Sequence, residues 1–242
     1  RVVACDIKAG LGEVMEGGPF EYMDVMNKED LEDKLVRHQI TEIYDLAAIL
    51  SGKAENNPKG AWELNMKSLL NVLEAARARG INRVFWPSSM GAFGPTTPKW
   101  DTPQVTVMEP TSVYGISKVA GERWVEYHHR KYGMDIRSLR YPGLISYKTE
   151  AGGGTTDYAV EIFYQAIQDA HYDCFLAEDL TLPMMFMADA VKATIMLMEA
   201  PADNITVRSS YNLGGISFTP KDLVRERSEE HTSELQSPLC IS

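Results

Sequence analysis

Cysteine is scarce in this chain. Three residues, Cys5, Cys174 and Cys240, are scattered over 242 positions. An odd, unspaced set makes neither a disulfide framework nor a zinc site, so a reducing compartment, the cytoplasm, is expected. An excess of positive charge is also missing. The formal charge is −10, which argues against a nucleic acid or an anionic membrane as partner. The five histidines show no ligand spacing, so no metal is expected. His128-His129 reads as part of a solvated helix face. No apolar run is long enough to span a membrane. What is present is ordinary: 44% hydrophobic and 24% charged residues, as in soluble chains with one large or two small domains.

Short apolar runs alternate with helical patterns. Val2-Val3-Ala4-Cys5-Asp6 reads as a strand ending in a carboxylate. Phe20–Val25 alternates and reads as a second strand. Asn27 then looks like an N-cap, with Glu29 and Asp30 in the first turn. Further strands are expected at 42–48, 83–87 and 134–140. Pro58 opens a long helix to Arg79, closed by Gly80. Asn65 sits inside it, either solvated or bracing a neighbouring backbone. A proline-rich loop, 94–110, precedes a helix that Gly133 stops. This alternation implies a doubly wound parallel α/β sheet of Rossmann-like type, with ligands beyond the C-terminal strand ends. Asp6, Ala47, Ser51, Ser89 and Tyr141 all fall at or after such ends.

Beyond Ile145 the alternation is lost. Ala151–Asp157 is polar and rich in glycine. Cys174-Phe175-Leu176 reads as a short strand, and the methionine-dense 182–187 as adaptable core. The expected division is a dinucleotide-binding part over 1–145 and a small substrate lobe over 146–226.

Two stretches carry chemistry. Tyr114 and Lys118 are four apart, so a helix places them on one face. A neighbouring ammonium favours phenolate and fits Tyr114 to take a proton from an alcohol. The same spacing also suits an amphipathic surface helix with a snorkelling lysine. Upstream, Val84–Gly91 reads as a strand running into Ser88 and Ser89. Asp6 suits the adenosine ribose hydroxyls of a dinucleotide and would repel an added phosphate. It reads equally as a turn aspartate. The glycine-rich phosphate loop that should precede such a strand is absent. Gly10, Gly12, Gly17 and Gly18 follow the strand and read as turn residues.

The Ser89/Tyr114/Lys118 set resembles the extended short-chain dehydrogenase/reductases. Leu46–Ser51, Pro87–Pro95, Tyr141–Ile145, Gly152–Ala159 and Leu182–Met185 are similar to the members of that family that oxidise L-threonine. The resemblance implies NAD as cofactor and a homodimer built on the helices at 58–79 and 111–132. It implies Tyr114 as base, Ser89 on the substrate hydroxyl, and Lys118 on Tyr114 and the nicotinamide ribose. Asp6, Asp24 and Val25 would take the adenosine side, and Leu46, Ala47 and Ala48 the cofactor's close approach. Tyr141, Gly143 and Leu144 would lie by the nicotinamide. Ser51, Ser88, Thr155 and Thr156 would meet the amino-acid end of threonine. A nucleotide-sugar epimerase or dehydratase would need cationic groups for a diphosphate, and residues 151–203 hold only Lys192. A non-catalytic NAD-binding regulator is the other alternative.

Both ends carry an expectation. Arg1 falls within what reads as a second strand, so a first strand and phosphate loop are expected upstream. Residues 227–242 have no packing pattern and read as a foreign, adaptor-like tail, with no role for His231, Glu234 or Cys240. The chain alone is expected to bind NAD weakly or not at all, and restoring both ends is expected to recover activity.

Overall fold

The computed structural model describes residues 1–8, 16–148, 152–168 and 171–230. Its strands are β1 (Ala4–Asp6), β2 (Phe20–Tyr22), β3 (Glu42–Tyr44), β4 (Arg83–Phe85) and β5 (Ser88–Ser89). They continue as β6 (Ile136–Arg137), β7 (Leu139–Tyr141), β8 (Gly143–Ile145), β9 (Leu182–Phe186), β10 (Tyr211–Asn212) and β11 (Ile216–Phe218). The main helices are Lys28–Arg37, Pro58–Arg79, Val113–Tyr132, Tyr158–Gln168, Met187–Glu199 and Pro220–Glu230.

The main layer is parallel. Val84 pairs with Ile136 and Phe85 with Arg137, and further on Ser88 pairs with Arg140 and Ser89 with Tyr141. The offset stays constant, so β4–β5 and β6–β7 form one ladder with a break at Trp86-Pro87. Pro87 has no N–H to donate there. β3 flanks this ladder on one side and β10 on the other, both parallel. β1 and β2 form a separate parallel pair. Among the described residues no ladder joins them to β3. They are held instead through helices. Leu31 and Leu35 of the Lys28–Arg37 helix enter the core formed by Leu69, Val72, Leu73, Ala76, Val84, Trp86, Val125 and Ile136.

Helix ends follow from local chemistry. Asn27 and Asn57 accept the N–H of Asp30 and Gly60 at 3.2 and 3.1 Å. Ser112 accepts that of Gly115 at 3.0 Å. These bonds satisfy donors that a helix start leaves open. Gly80 and Gly133 close their helices at φ 64° and 68°, a left-handed turn that favours glycine. The C-terminal end of the Met187–Glu199 helix is held differently. Arg137, fully buried, donates to the carbonyls of Leu197, Met198 and Ala200.

A second core gathers around Tyr158, Ala159, Ile162, Tyr172, Cys174 and Met184. β9 lies between β8, parallel, and β11, antiparallel. Sequence patterning misses β8 and β11. The strand expected at Cys174-Phe175-Leu176 is irregular backbone. Cys174 and Leu176 are apolar because they pack into this second core, not because they pair. Met184 is buried completely, as the core reading of that stretch requires. Gly10, Gly12 and the segment 231–242 lie outside the described residues. No described helix is long and apolar enough to cross a membrane.

Candidate active site

The site forms where β5 meets the Val113–Tyr132 helix. Two glycines let that helix sit deep against the sheet. A Cβ on Gly115 would lie 2.1 Å from the Gly91 carbonyl oxygen, and one on Gly121 would lie 2.3 Å from the Trp86 ring. Tyr114 and Lys118 lie in this close-fitting stretch and are carried inward with it.

Ser89 and Tyr114 converge beside Gly91: a Cβ there would meet the Tyr114 ring at 3.2 Å and Ser89 Oγ at 3.4 Å. The Ser89 hydroxyl accepts the Gly91 N–H at 3.1 Å, which fixes its rotamer. Lys118, 3% exposed, donates from Nζ to the Pro87 carbonyl at 2.7 Å. Its ammonium lies 4.6 Å from the Trp86 ring centre and 5.3 Å from that of Tyr114. The break at Pro87 thus leaves a carbonyl for Lys118. Burial pulls the Lys118 ammonium down to about 8, against the opposing charges of Asp45 and Glu122.

The expected lowering of the Tyr114 phenol is not what this geometry gives. Burial raises it, and the Ser89 hydrogen bond offsets only part of that rise. The Lys118 ammonium lies over the ring, 5.3 Å from its centre, while desolvation acts on the whole phenol.

Ser88 is corrected too. Adjacent strand residues point to opposite faces. Ser89 faces Tyr114, while Ser88 is buried and donates to Glu122 at 2.6 Å. Glu122 is fully buried and bidentate with Arg140, at 2.8 and 2.7 Å. Arg140 also donates to the Gln104 carbonyl and to Asn212 Oδ1. Gln104 in turn bridges the Ser210 carbonyl and the Asn212 N–H, pinning the proline-rich loop along β10. Sequence reasoning missed this network, because a helix glutamate and a strand arginine eighteen residues apart carry no local signal that they pair.

The Pro58–Arg79 helix links the two ends of the site. Asn65 exchanges two hydrogen bonds with the Ile49 backbone, at 2.8 and 3.1 Å, and reaches the Ser117 hydroxyl at 3.4 Å. The bracing role is therefore the one observed. Six residues further along, Asn71 donates to the carbonyls of Val25 and Met26. Six residues of helix rise about 9 Å. One rigid rod thus spaces the Val25 end from the Tyr114 end.

At the Val25 end, Asp6 closes β1. Its carboxylate accepts the Lys8 N–H at 2.9 Å, and its carbonyl accepts that of Met23. Asp24 accepts the Met26 N–H at 2.9 Å. Leu46, Ala47 and Ala48 follow β3 as irregular backbone, with Leu46 66% exposed. Tyr141 bonds Thr194 through its hydroxyl. Gly143 begins β8, beside Met184 and Thr156, and Leu144 follows it.

The glycine-rich segment docks on the turn after β3. Ser51 Oγ and Thr155 Oγ1 lie 3.1 Å apart, and Ser51 Oγ accepts the Thr155 N–H at 3.1 Å. The Gly52 N–H donates to the Gly153 carbonyl, while Asp157 accepts the Gly153 and Gly154 N–H groups, both at 2.7 Å. Thr156 packs at Gly143. Ser51, Thr155 and Thr156 are thus joined in one segment, distinct from Ser88.

His128 is buried, correcting the solvated-face reading, and its Nδ1 lies 2.9 Å from the Trp124 carbonyl oxygen. No group of metal-binding side chains occurs among the described residues.

A family model described as the NAD dependent epimerase/dehydratase family matches residues 3–214. A relative from Staphylococcus saprophyticus, named an uncharacterized epimerase/dehydratase, is 46% identical over 232 residues, 96% of this chain and 72% of the relative. A solved GalE-like L-threonine dehydrogenase from Cupriavidus necator, in holo form, is 53% identical. Its TM-score is 0.91 over 96% of this chain and 74% of that one. A monomeric L-threonine 3-dehydrogenase from a metagenome, in apo form, is 41% identical. Its TM-score is 0.88 over 94% of this chain and 72% of that one.

Proposed function

The chain belongs to the NAD-dependent epimerase/dehydratase family, and from that premise we propose that it oxidises L-threonine at its β-hydroxyl to 2-amino-3-oxobutanoate. The observation that carries the reading is the convergence of Ser89 and Tyr114 beside Gly91 with the Lys118 ammonium over the Tyr114 ring. The 53% identity to a threonine dehydrogenase supports the substrate. So does the near absence of basic residues from 151–203, which offers little to a sugar diphosphate.

The cofactor is NAD. When bound it supplies the hydride acceptor, and the chain supplies the rest. Its residues fit the group. Leu46–Ala48 present irregular backbone at a strand end, and Lys118 has donors beyond the one spent on Pro87. In this reading Asp6, Asp24 and Val25 hold the adenosine side, while Tyr141, Gly143 and Leu144 border the nicotinamide. Ser89 fixes the β-hydroxyl, Tyr114 takes its proton, and Lys118 stabilises the phenolate so formed. Ser51 and Thr155 exchange their mutual contact for the ammonium and carboxylate of threonine, with Thr156 beside them. The reading includes a homodimer through the Pro58–Arg79 and Val113–Tyr132 helices, where Trp62, Ile116, Trp124 and Tyr127 remain exposed.

The test is NADH formation at 340 nm. It is read in the 242-residue chain and in a chain extended upstream through its reading frame. Threonine is expected to drive reduction where a UDP-hexose does not. Epimerisation of the UDP-hexose without threonine oxidation would favour the sugar reading. NAD binding with neither reaction would favour a regulator.

A further inference from the structure

Glu55 follows the single helical turn Ser51–Ala54 and is exposed. Its carboxylate reaches 58 residues along the chain, where Oε1 accepts the Val113 N–H at 2.9 Å. Val113 is the first residue of the helix that carries Tyr114. A helix start leaves such donors open, and at a surface water can meet them. Ser112 already caps this helix through the Gly115 N–H. Fixing a long side chain on one more surface donor costs rotamer freedom. Capping alone is therefore a weak reason for the contact.

The turn before Glu55 supplies a better one. Its other side lies in backbone contact with the glycine-rich segment. The Gly52 N–H donates to the Gly153 carbonyl, and the Thr155 N–H to Ser51 Oγ, both at 3.1 Å. The fit leaves no spare room. A Cβ on Gly52 would lie 2.8 Å from the Gly153 carbonyl oxygen, and one on Gly153, at φ 99°, would lie 2.7 Å from the Lys53 stem. Between these contacts and Glu55, Ala54 is fully buried and its N–H closes the turn on the Leu50 carbonyl at 2.8 Å. The turn is a short rigid piece, with the glycine-rich segment at one end and the start of the Tyr114 helix at the other. Among the described residues, no other side-chain hydrogen bond ties residues 51–55 to that helix.

We propose that Glu55 is a positioning residue: by holding the Val113 N–H it sets the Ser51 turn, and the Gly152–Thr155 segment docked on it, at a fixed place relative to Tyr114. The inference rests on the proposed function, in which Tyr114 takes the β-hydroxyl proton while Ser51 and Thr155 meet the ammonium and carboxylate. Those groups belong to one small molecule, so the residues that meet its two ends must share one frame. The hydrogen bond, not the charge, sets that frame. Glu55→Gln keeps the acceptor and the reach. Glu55→Asp keeps the charge but is one methylene short. Glu55→Ala loses both.

The first arm of the test needs no turnover. In the cofactor-free full chain, amide exchange is read residue by residue by NMR at Val113, Gly52 and Thr155. Glu55→Ala should speed exchange at all three by about fivefold, the factor an ordinary hydrogen bond is worth, while Glu55→Gln stays within about twofold of the parent. Faster exchange at Val113 alone would make Glu55 a helix cap and overturn the proposal. Unchanged exchange at all three would overturn it as well. The second arm is NADH formation from threonine. The kcat should fall about tenfold in Glu55→Ala and Glu55→Asp and stay within about twofold in Glu55→Gln, because misplacement and not charge is what slows the reaction. Activity kept by Glu55→Asp and lost in Glu55→Gln would refute positioning through the hydrogen bond. A parent that forms no NADH from threonine would sink the proposed function, and the exchange arm would still decide whether Glu55 ties the turn to the helix.

Discussion

Glu122→Gln removes one charge from the buried network beneath the site. Glu122 is fully buried and receives two hydrogen bonds from Arg140 and one from Ser88. Removing one partner of such a pair costs about 3–5 kcal/mol, because the other charge stays buried. Glutamine keeps one acceptor, but its amide then meets a guanidinium donor. Arg140 also keeps Gln104 and Asn212. Both points place the cost at the lower end, about 3 kcal/mol. With a urea slope near 2.5 kcal/mol/M, the midpoint should fall by about 1 M. Glu74→Gln is the control. Its partner Lys28 lies at 2.6 Å but in solvent, and the midpoint should hardly move. A Glu122→Gln midpoint as little changed as the control would show that Arg140 does not depend on Glu122.

Four further outcomes are expected. Tyr114→Phe should lower NADH production from threonine by about 10²-fold or more while the NAD dissociation constant stays within about threefold; activity within tenfold of the parent removes Tyr114 from the base role. Asp6→Ser should narrow the preference for NAD over NADP, since it loses both a ribose acceptor and a charge that repels the 2′-phosphate; equal use of both cofactors by the parent would show Asp6 misplaced. Amide exchange across Gly152–Thr156 should slow when threonine and NAD bind together, as Ser51 and Thr155 trade their mutual contact for substrate; unchanged protection would make the segment an ordinary turn. Asp45 titrates at about 6 in the fold against an ordinary 3.8; its native state binds the proton more tightly, so stability is fully present below pH 3.8 and is lost as pH rises through 6. That loss is roughly 3 kcal/mol, and denaturant melts of Asp45→Asn between pH 4 and 6.5 should lack it.

The helices were legible because their signals are local. Asn27 at a start and Gly80 and Gly133 at ends act within a few residues of the chain, and all three do what their chemistry requires. The parallel α/β order was legible for a related reason, since apolar runs alternate with helical periods. The strands are shorter than those runs. Glu42–Ala48 pairs only over Glu42–Tyr44, because Asp45–Ala48 leaves the ladder to make the site. β8 and β11 were invisible, each pairing with β9 across distant sequence. Cys174–Leu176 failed in the opposite sense: apolarity marked burial and not pairing.

At the site, residue types were legible and their directions were not. Ser88-Ser89 offers two equivalent hydroxyls in the sequence. The pleat separates them, one toward Tyr114 and one into the Glu122–Arg140 network. Only the register opposite Arg140 and Tyr141 decides which is which. A shift by one residue would exchange their roles, turning Ser88 toward Tyr114 and Ser89 toward Glu122. The same ladder breaks at Pro87, and the carbonyl left there is the one that holds Lys118. The network that fixes the sheet and the groups proposed to move a proton are therefore set by a single register.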